Sequence, residues 1–88
     1  MKNYKINKEI EINELDNELI IIFPQTEKMY FCNKISKELI CGIQDGLNME
    51  QIILSILSKY EIDRVSIEND FSEIICQLLY YKILICEE

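Results

Sequence analysis

Three short runs of β-forming residues follow one another in the first third of the chain. Glu9–Asn13 alternates charged or polar residues with isoleucine, Leu19–Phe23 is rich in β-branched residues, and Lys28–Asn33 contains four consecutive apolar or aromatic residues. The segments that separate these runs, Asp16-Asn17 and Pro24–Glu27, have the composition of tight turns. Short strands at this close spacing predict an antiparallel meander of three strands.

The rest of the chain has the spacing of amphipathic helices. Asn33 and Asn48 stand where N-caps belong, Asp45-Gly46 ends the first helix, and the third helix starts near Asp63 or Ser66. The closing segment, ILICEE, is either a final strand or an extended tail. The third helix carries an apolar stripe wider than one packing contact requires, made of Ile67, Phe71, Ile74, Ile75, Leu78 and Leu79.

The order of these elements is βββααα, which defines an α+β fold. The 88 residues suit a single domain, 1–88, in which the polar and basic residues 1–8 are expected to form a loose arm. No signal peptide is visible, and the longest apolar run, Leu19–Phe23, is too short to span a bilayer. A cytoplasmic location with no membrane partner is therefore expected.

The third predicted strand is apolar on both faces, and nothing in its sequence protects its edge. Met29 to Cys32 includes no proline, glycine or charge. Two interpretations follow. The N-terminal arm or the C-terminal tail covers the edge of an ordinary core, or the edge stays open and an extended peptide adds to it beside the third helix. In the second case we expect Tyr30 and Cys32 to point inward and Met29 and Phe31 to point to the other face.

An open edge strand can also pair with its own copy. We therefore expect a monomer in dilute solution and an edge-paired or swapped dimer at high concentration.

The composition argues against catalysis and metal binding. There is no histidine, and the only glycines are Gly42 and Gly46, so the commonest general base and a glycine-rich phosphate loop are both absent. The sixteen carboxylates are spread along the chain, as on a solvated acidic surface. The four cysteines never approach C-x-x-C spacing, which favours free structural thiols. No enzymatic activity, cofactor or metal is expected.

A small winged-helix transcription regulator is the alternative function, because three helices beside a small sheet suit that class of protein. The formal charge of −7 repels phosphate backbones. The third helix also opens with three acidic residues, Glu68, Asp70 and Glu73, rather than with the basic residues of a recognition helix. Nucleic acid is therefore not expected as a partner.

An ordered set of features between Tyr30 and Leu84 resembles the PqqD-like family, the recognition elements that bind precursor-peptide leaders in the biosynthesis of ribosomally made, modified peptides. The features are a strand that ends in an apolar residue plus Asn, a helix that ends in Asp-Gly, a capped helix that ends in tyrosine, and a third helix with Asp before an apolar residue. In this chain they are Cys32-Asn33, Asp45-Gly46, Tyr60 and Asp70-Phe71, followed by Ile74, Ile75 and Leu78.

Two positions depart from the family pattern. The family often has glycine before the last apolar pair, where this chain has Lys82, and the first helix is one residue longer than usual before Asp45-Gly46. Both departures concern packing and element boundaries rather than the surface where a peptide would bind.

The resemblance implies a winged-helix-like fold without catalysis, in which a leader peptide adds as a strand to the third strand, against the third helix. The protein would then be an adaptor that presents the precursor to a modifying enzyme, which in this family is often a radical S-adenosylmethionine protein. Lys34 would pair with an acidic leader side chain, and Asp70 and Glu73 with a basic one. The predicted peptide-binding residues are Lys28, Met29, Tyr30, Phe31, Cys32, Asn33, Lys34, Asp70, Phe71, Ile74, Gln77, Leu78 and Tyr81.

Overall fold

The computed structural model describes residues 3–87, which form two small antiparallel sheets and three helices. The predicted meander followed by three helices is confirmed, so the fold is α+β. In chain order the elements are β1 (Asn3–Ile6), β2 (Glu11–Leu15), β3 (Glu18–Phe23), β4 (Lys28–Cys32), α1 (Lys34–Gln44), α2 (Met49–Lys59), α3 (Arg64–Tyr80) and β5 (Leu84–Glu87).

The three-stranded sheet has the order β2-β3-β4, so β4 is an edge strand. Asp16 and Asn17 both adopt positive φ, 52° and 69°, which is the geometry of the two-residue turn that suits the twist of a hairpin. This turn sets the β2–β3 register from the Leu15–Glu18 pair onward. As a result β2 lies two residues further along the chain than the predicted strand.

The prediction of a loose N-terminal arm is wrong for the part of it that the structure describes. Asn3–Ile6 pairs antiparallel with Leu84–Glu87 in a second sheet, and the side chains of Tyr4 and Ile6 pack against the core. Just beyond β1, the side-chain amide of Asn7 donates to the Lys82 carbonyl oxygen at 2.8 Å and extends the contact between the two segments. Residues 1 and 2 of the predicted arm lie outside the described residues. The N-terminal and C-terminal segments therefore pair with each other, and neither Asn3–Ile6 nor Leu84–Glu87 pairs with β4.

Each helix begins at a side-chain cap, as the sequence predicts. The Asn33 side chain accepts from the backbone N–H of Ser36 at 2.8 Å, and Asp63 does the same for α3. Asn48 and Gln51 cap α2 reciprocally, each side chain accepting from the other residue's backbone N–H. The Asn33 cap fixes the point where β4 turns into α1, and so it holds the end of the edge strand.

The ends of α1 and α3 share one cap geometry. Gly46, just past α1, has φ +81°, and Lys82, just past α3, has φ +61°. In each case the next residue's N–H bonds back to a carbonyl five residues earlier, at 3.0 Å for α1 and 2.8 Å for α3. Lys82 therefore occupies the left-handed position that glycine fills with less strain, which accounts for the glycine expected there from the family pattern.

The core lies between the helices and one face of the three-stranded sheet. Leu19 and Ile21 from β3 are buried in it, and their outward neighbours on the same strand are not. The buried apolar residues are Leu19, Ile21, Leu39, Ile40, Ile52, Ile53, Ile56, Ile67, Phe71, Leu78, Ile83 and Leu84.

Candidate functional site

The backbone of β4 is free along its outer edge. Leu15 and Glu18 close a two-residue turn and so form a hydrogen-bonded pair, and such pairs alternate along an antiparallel ladder. On β3, therefore, Glu18, Ile20 and Ile22 direct their N–H and C=O groups to β2, and the residues between them direct theirs to β4. Their partners on β4 are Cys32, Tyr30 and Lys28.

It follows that Met29 and Phe31 direct their backbone N–H and C=O groups away from β3. Among residues 3–87 no strand pairs with these groups. The other edge of the sheet, β2, carries Glu11 and Glu14, and charges of this kind discourage pairing. The β4 edge has no such protection between Met29 and Cys32 and is the more suitable edge for strand addition.

The side chains of β4 divide between two faces as predicted. Tyr30 and Cys32 are half-buried and pack against the core, whereas Met29 and Phe31 are 57% and 63% exposed. The face that carries Tyr30 is the one turned toward α3.

Side chains rather than backbones connect the β4 edge with α3. No Cα atom of β4 lies within 8 Å of a Cα atom of α3. The Tyr30 hydroxyl donates to Oε1 of Gln77 at 3.3 Å, and the Tyr30 ring lies 5.7 Å from that of Tyr81. We call the surface between β4 and α3, which Tyr30 bridges, the groove.

A depression of about 230 Å³ lies beside the Tyr30–Gln77 contact, since Gln77 is part of its lining. Ile74 supplies apolar surface from α3, and Ile35 supplies it from the first turn of α1. Asp70 lies one turn before Ile74 on α3 and Glu73 directly precedes it, so the depression is bordered by carboxylates. The full lining is Asn33, Ile35, Asp70, Glu73, Ile74 and Gln77.

The structure brings six of the predicted site residues together around this groove: Tyr30, Asn33, Asp70, Ile74, Gln77 and Tyr81. Met29 and Phe31 contribute backbone groups at the edge, and Lys28 begins the same strand. Ile35, in the first turn of α1, also lines the depression, although it is not among the predicted binding residues. Contact between any of these residues and a peptide stays a prediction.

Two predicted residues are displaced from the site. Phe71 and Leu78 are 3% and 0% exposed and belong to the core cluster, so their side chains are not available to a ligand. The neighbouring strip of α3 faces the groove and consists of Asp70, Ile74, Gln77 and Tyr81.

Lys34 lies beside a separate depression of about 440 Å³ at the Cys32 end of the edge strand. Lys37 shares this depression, but its ammonium group already donates to Glu14 at 3.1 Å and to the Asn17 carbonyl oxygen at 2.6 Å. Two acidic residues, Asp16 and Glu18, share the lining of this depression with the lysines. The carboxylates of α3 border the groove itself.

The Tyr30 hydroxyl and the Cys32 thiol are neutral at physiological pH, because burial raises the pKa of each group. Burial raises the pKa of the Cys32 thiol to about 11, and nearby Cys41 adds to the shift. Burial also raises the pKa of the Tyr30 hydroxyl, with smaller contributions from Cys32 and Tyr81. Cys32 thus behaves as a small apolar residue, and Tyr30 acts as a hydrogen-bond donor rather than as a charge.

All four cysteines have free thiols, with Cys76 and Cys86 exposed. Within residues 3–87 no group of three or more Cys, Asp or Glu side chains is arranged to hold a metal ion. Over the same range no helix is both long and apolar enough to cross a membrane.

Two solved structures share the fold of this chain. TbiB1 in complex with the TbiA(beta) leader peptide has a TM-score of 0.83 at 21% sequence identity, over 91% of this chain and 93% of that one. Lasso peptide synthetase B1 complexed with the leader peptide has a TM-score of 0.84 at 16% identity, over 94% of this chain and 98% of that one. No family model matches the sequence, and no curated protein matches it at a significant level. At these identities the comparison establishes a shared fold.

Proposed function

We propose that this protein is a non-catalytic adaptor that binds the leader of a ribosomally made precursor peptide and presents the precursor to a modifying enzyme. The observation that carries the proposal is the outer edge of β4, where Met29 and Phe31 direct their backbone groups away from β3 and where no strand within residues 3–87 pairs with them. A leader strand added there would satisfy these groups, and its alternate side chains would enter the groove.

The comparisons support the same class of ligand. Both structures that share the fold hold a leader peptide, one of them on a lasso peptide synthetase component. The resemblance of the sequence to the PqqD-like family implies the same ligand. The fold neighbours favour a lasso peptide synthetase component over a radical S-adenosylmethionine protein as the enzyme partner.

The gain from such an adaptor is effective concentration. An enzyme that meets its substrate on a shared scaffold reacts in a nearly intramolecular encounter, and no catalytic group is required of the scaffold. The groove offers hydrogen-bond donors and acceptors, apolar surface and carboxylates, and a basic leader side chain would pair with Asp70 or Glu73.

The transcription-regulator alternative is disfavoured by the charges on α3. Arg64, at its first turn, pairs with Glu50 and Glu68 rather than facing solvent alone. Farther along the helix, Asp70 and Glu73 are exposed carboxylates, which would repel DNA phosphates.

The test is to purify the protein and titrate it with the leader peptide encoded beside it, and then to follow processing of the full precursor by the adjacent modifying enzyme. We expect saturable one-to-one binding in the micromolar range or tighter, about −8 kcal/mol or better, and faster processing when the adaptor is present. A scrambled leader of the same composition is the control and should not bind. Equal affinity for the scrambled peptide, or selective binding of duplex DNA at low salt, would contradict the proposal.

A further inference from the structure

The three-stranded sheet has a second apolar surface that the groove does not use. Ile20 lies directly opposite Phe31, and Ile22 directly opposite Met29, and directly opposed residues share a face of the sheet. Leu15 lies on the same face, because it is opposite Glu18, two residues before Ile20. Two polar residues share this face, Asn13 opposite Ile20 and Glu18 opposite Leu15. We call Leu15, Ile20, Ile22, Met29 and Phe31 the outer face.

No described element covers this outer face. Leu15 is 62% exposed, in line with the exposure of Met29 and Phe31. The core packs on the opposite side, against Leu19 and Ile21. An antiparallel sheet with one solvated face normally shows polar residues there, and contiguous exposed apolar residues usually mark an interaction site.

Charge around the outer face indicates what kind of partner would cover it. Glu11 lies opposite Ile22 and extends the same row of side chains, and Glu18 precedes Ile20 on the same face. Both glutamates are exposed. A second copy of the chain would bring these carboxylates together and would add a second net charge of −7. A partner surface that is apolar at its centre and bordered by lysine or arginine fits better.

The outer face is continuous with the edge where the leader would bind. In a strand added to β4, alternate side chains enter the groove, and the side chains between them project on the same side as Met29 and Phe31. A partner seated on the outer face would therefore contact β4 and the leader at the same time.

We propose that the outer face is the docking site for the modifying enzyme, and that the bound leader completes the surface which the enzyme recognises. This inference rests on the proposed function, since it needs the leader on β4. Linkage then requires that the enzyme bind the loaded adaptor more tightly than the empty one, and that it raise the affinity for leader by the same factor.

The test uses the double variant I20T/I22T, which removes apolar area from the outer face, keeps β-forming residues and every backbone hydrogen bond, and leaves β4 unchanged. The control is L54T, which replaces an exposed apolar side chain of α2 with threonine. The probes are the leader peptide and the purified modifying enzyme encoded beside the same precursor. Thermal unfolding checks that each variant is folded.

We expect wild-type protein to bind the enzyme more tightly when loaded with leader. In I20T/I22T the enzyme affinity should fall by about tenfold or more while the leader affinity changes by less than about tenfold, and L54T should leave both unchanged. The enzyme affinity should also fall as salt concentration rises.

Three results would overturn the inference. Unchanged enzyme affinity in I20T/I22T, with the leader still bound, would remove the outer face from the enzyme interface. Sedimentation that shows a wild-type dimer broken by I20T/I22T, with enzyme binding intact, would assign the face to self-association. Equal affinity of the enzyme for empty and loaded adaptor would contradict the proposal that the bound leader forms part of the surface which the enzyme recognises. Failure of wild-type protein to bind the leader at all is a separate result, because it refutes the proposed function itself.

Discussion

Replacing Phe31 with proline is expected to weaken leader binding by about 100-fold or more. Phe31 directs its N–H outward, so proline removes a donor that the leader would use and leaves the β3–β4 ladder intact. The loss combines one hydrogen bond, about 0.5–1.5 kcal/mol, with a leader carbonyl left buried without a donor, about 1–3 kcal/mol. Together these costs are close to the roughly 2.7 kcal/mol that corresponds to a 100-fold change in Kd.

Two control variants separate this effect from general damage. F31T retains the N–H and changes only a side chain on the outer face, so its leader affinity should stay within about tenfold of wild type. Y30P removes an N–H that bonds to β3 and should lower the unfolding temperature, whereas F31P should not. Wild-type affinity in folded F31P would contradict strand addition at this edge.

Replacing Ile74 with aspartate is expected to weaken leader binding by about 10- to 100-fold, because a bound peptide would bury an unpaired charge against it. Ile74 is half-buried and lines the depression. A carboxylate there would also stand near Asp70, one turn earlier, and would repel it.

The matched control is V65D, which places the same charge on the same helix at a residue that is 66% exposed and does not line the groove. V65D should bind leader as wild type does. Isothermal titration gives the affinities, and circular dichroism confirms that both variants are helical. Equal losses in I74D and V65D would show that net charge, rather than the groove, controls binding.

Local chemistry made much of the fold predictable. The Asp16-Asn17 turn, the caps at Asn33 and Asn48, and the Asp45-Gly46 helix end each depend on side chains within a few residues of one another. These signals fixed the order of elements and the point where the edge strand meets α1. The inward direction of Tyr30 and Cys32 followed from the two-residue period of a strand.

The rest depends on distant parts of the chain. The β1–β5 pairing joins residues about eighty positions apart, Asn3 and Glu87. The local sequence of the basic N-terminal segment contains no signal that identifies such a distant partner strand. Tertiary packing also decides which residues of α3 are buried and which line the groove. Phe71 and Leu78 are buried while Ile74 is only partly so, because the rotation of the helix against the core decides which strip of a wide apolar stripe stays open.

The most direct test of strand addition is amide hydrogen exchange, measured by NMR on free and leader-bound protein. In the free protein the Met29 and Phe31 amides should exchange quickly, and the Tyr30 and Cys32 amides, which bond to β3, should be protected. Saturating leader should protect Met29 and Phe31 and shift the amide signals of β4 and α3. A leader that binds while the Met29 and Phe31 amides still exchange quickly, with its shifts centred on α1 and α2, would contradict strand addition.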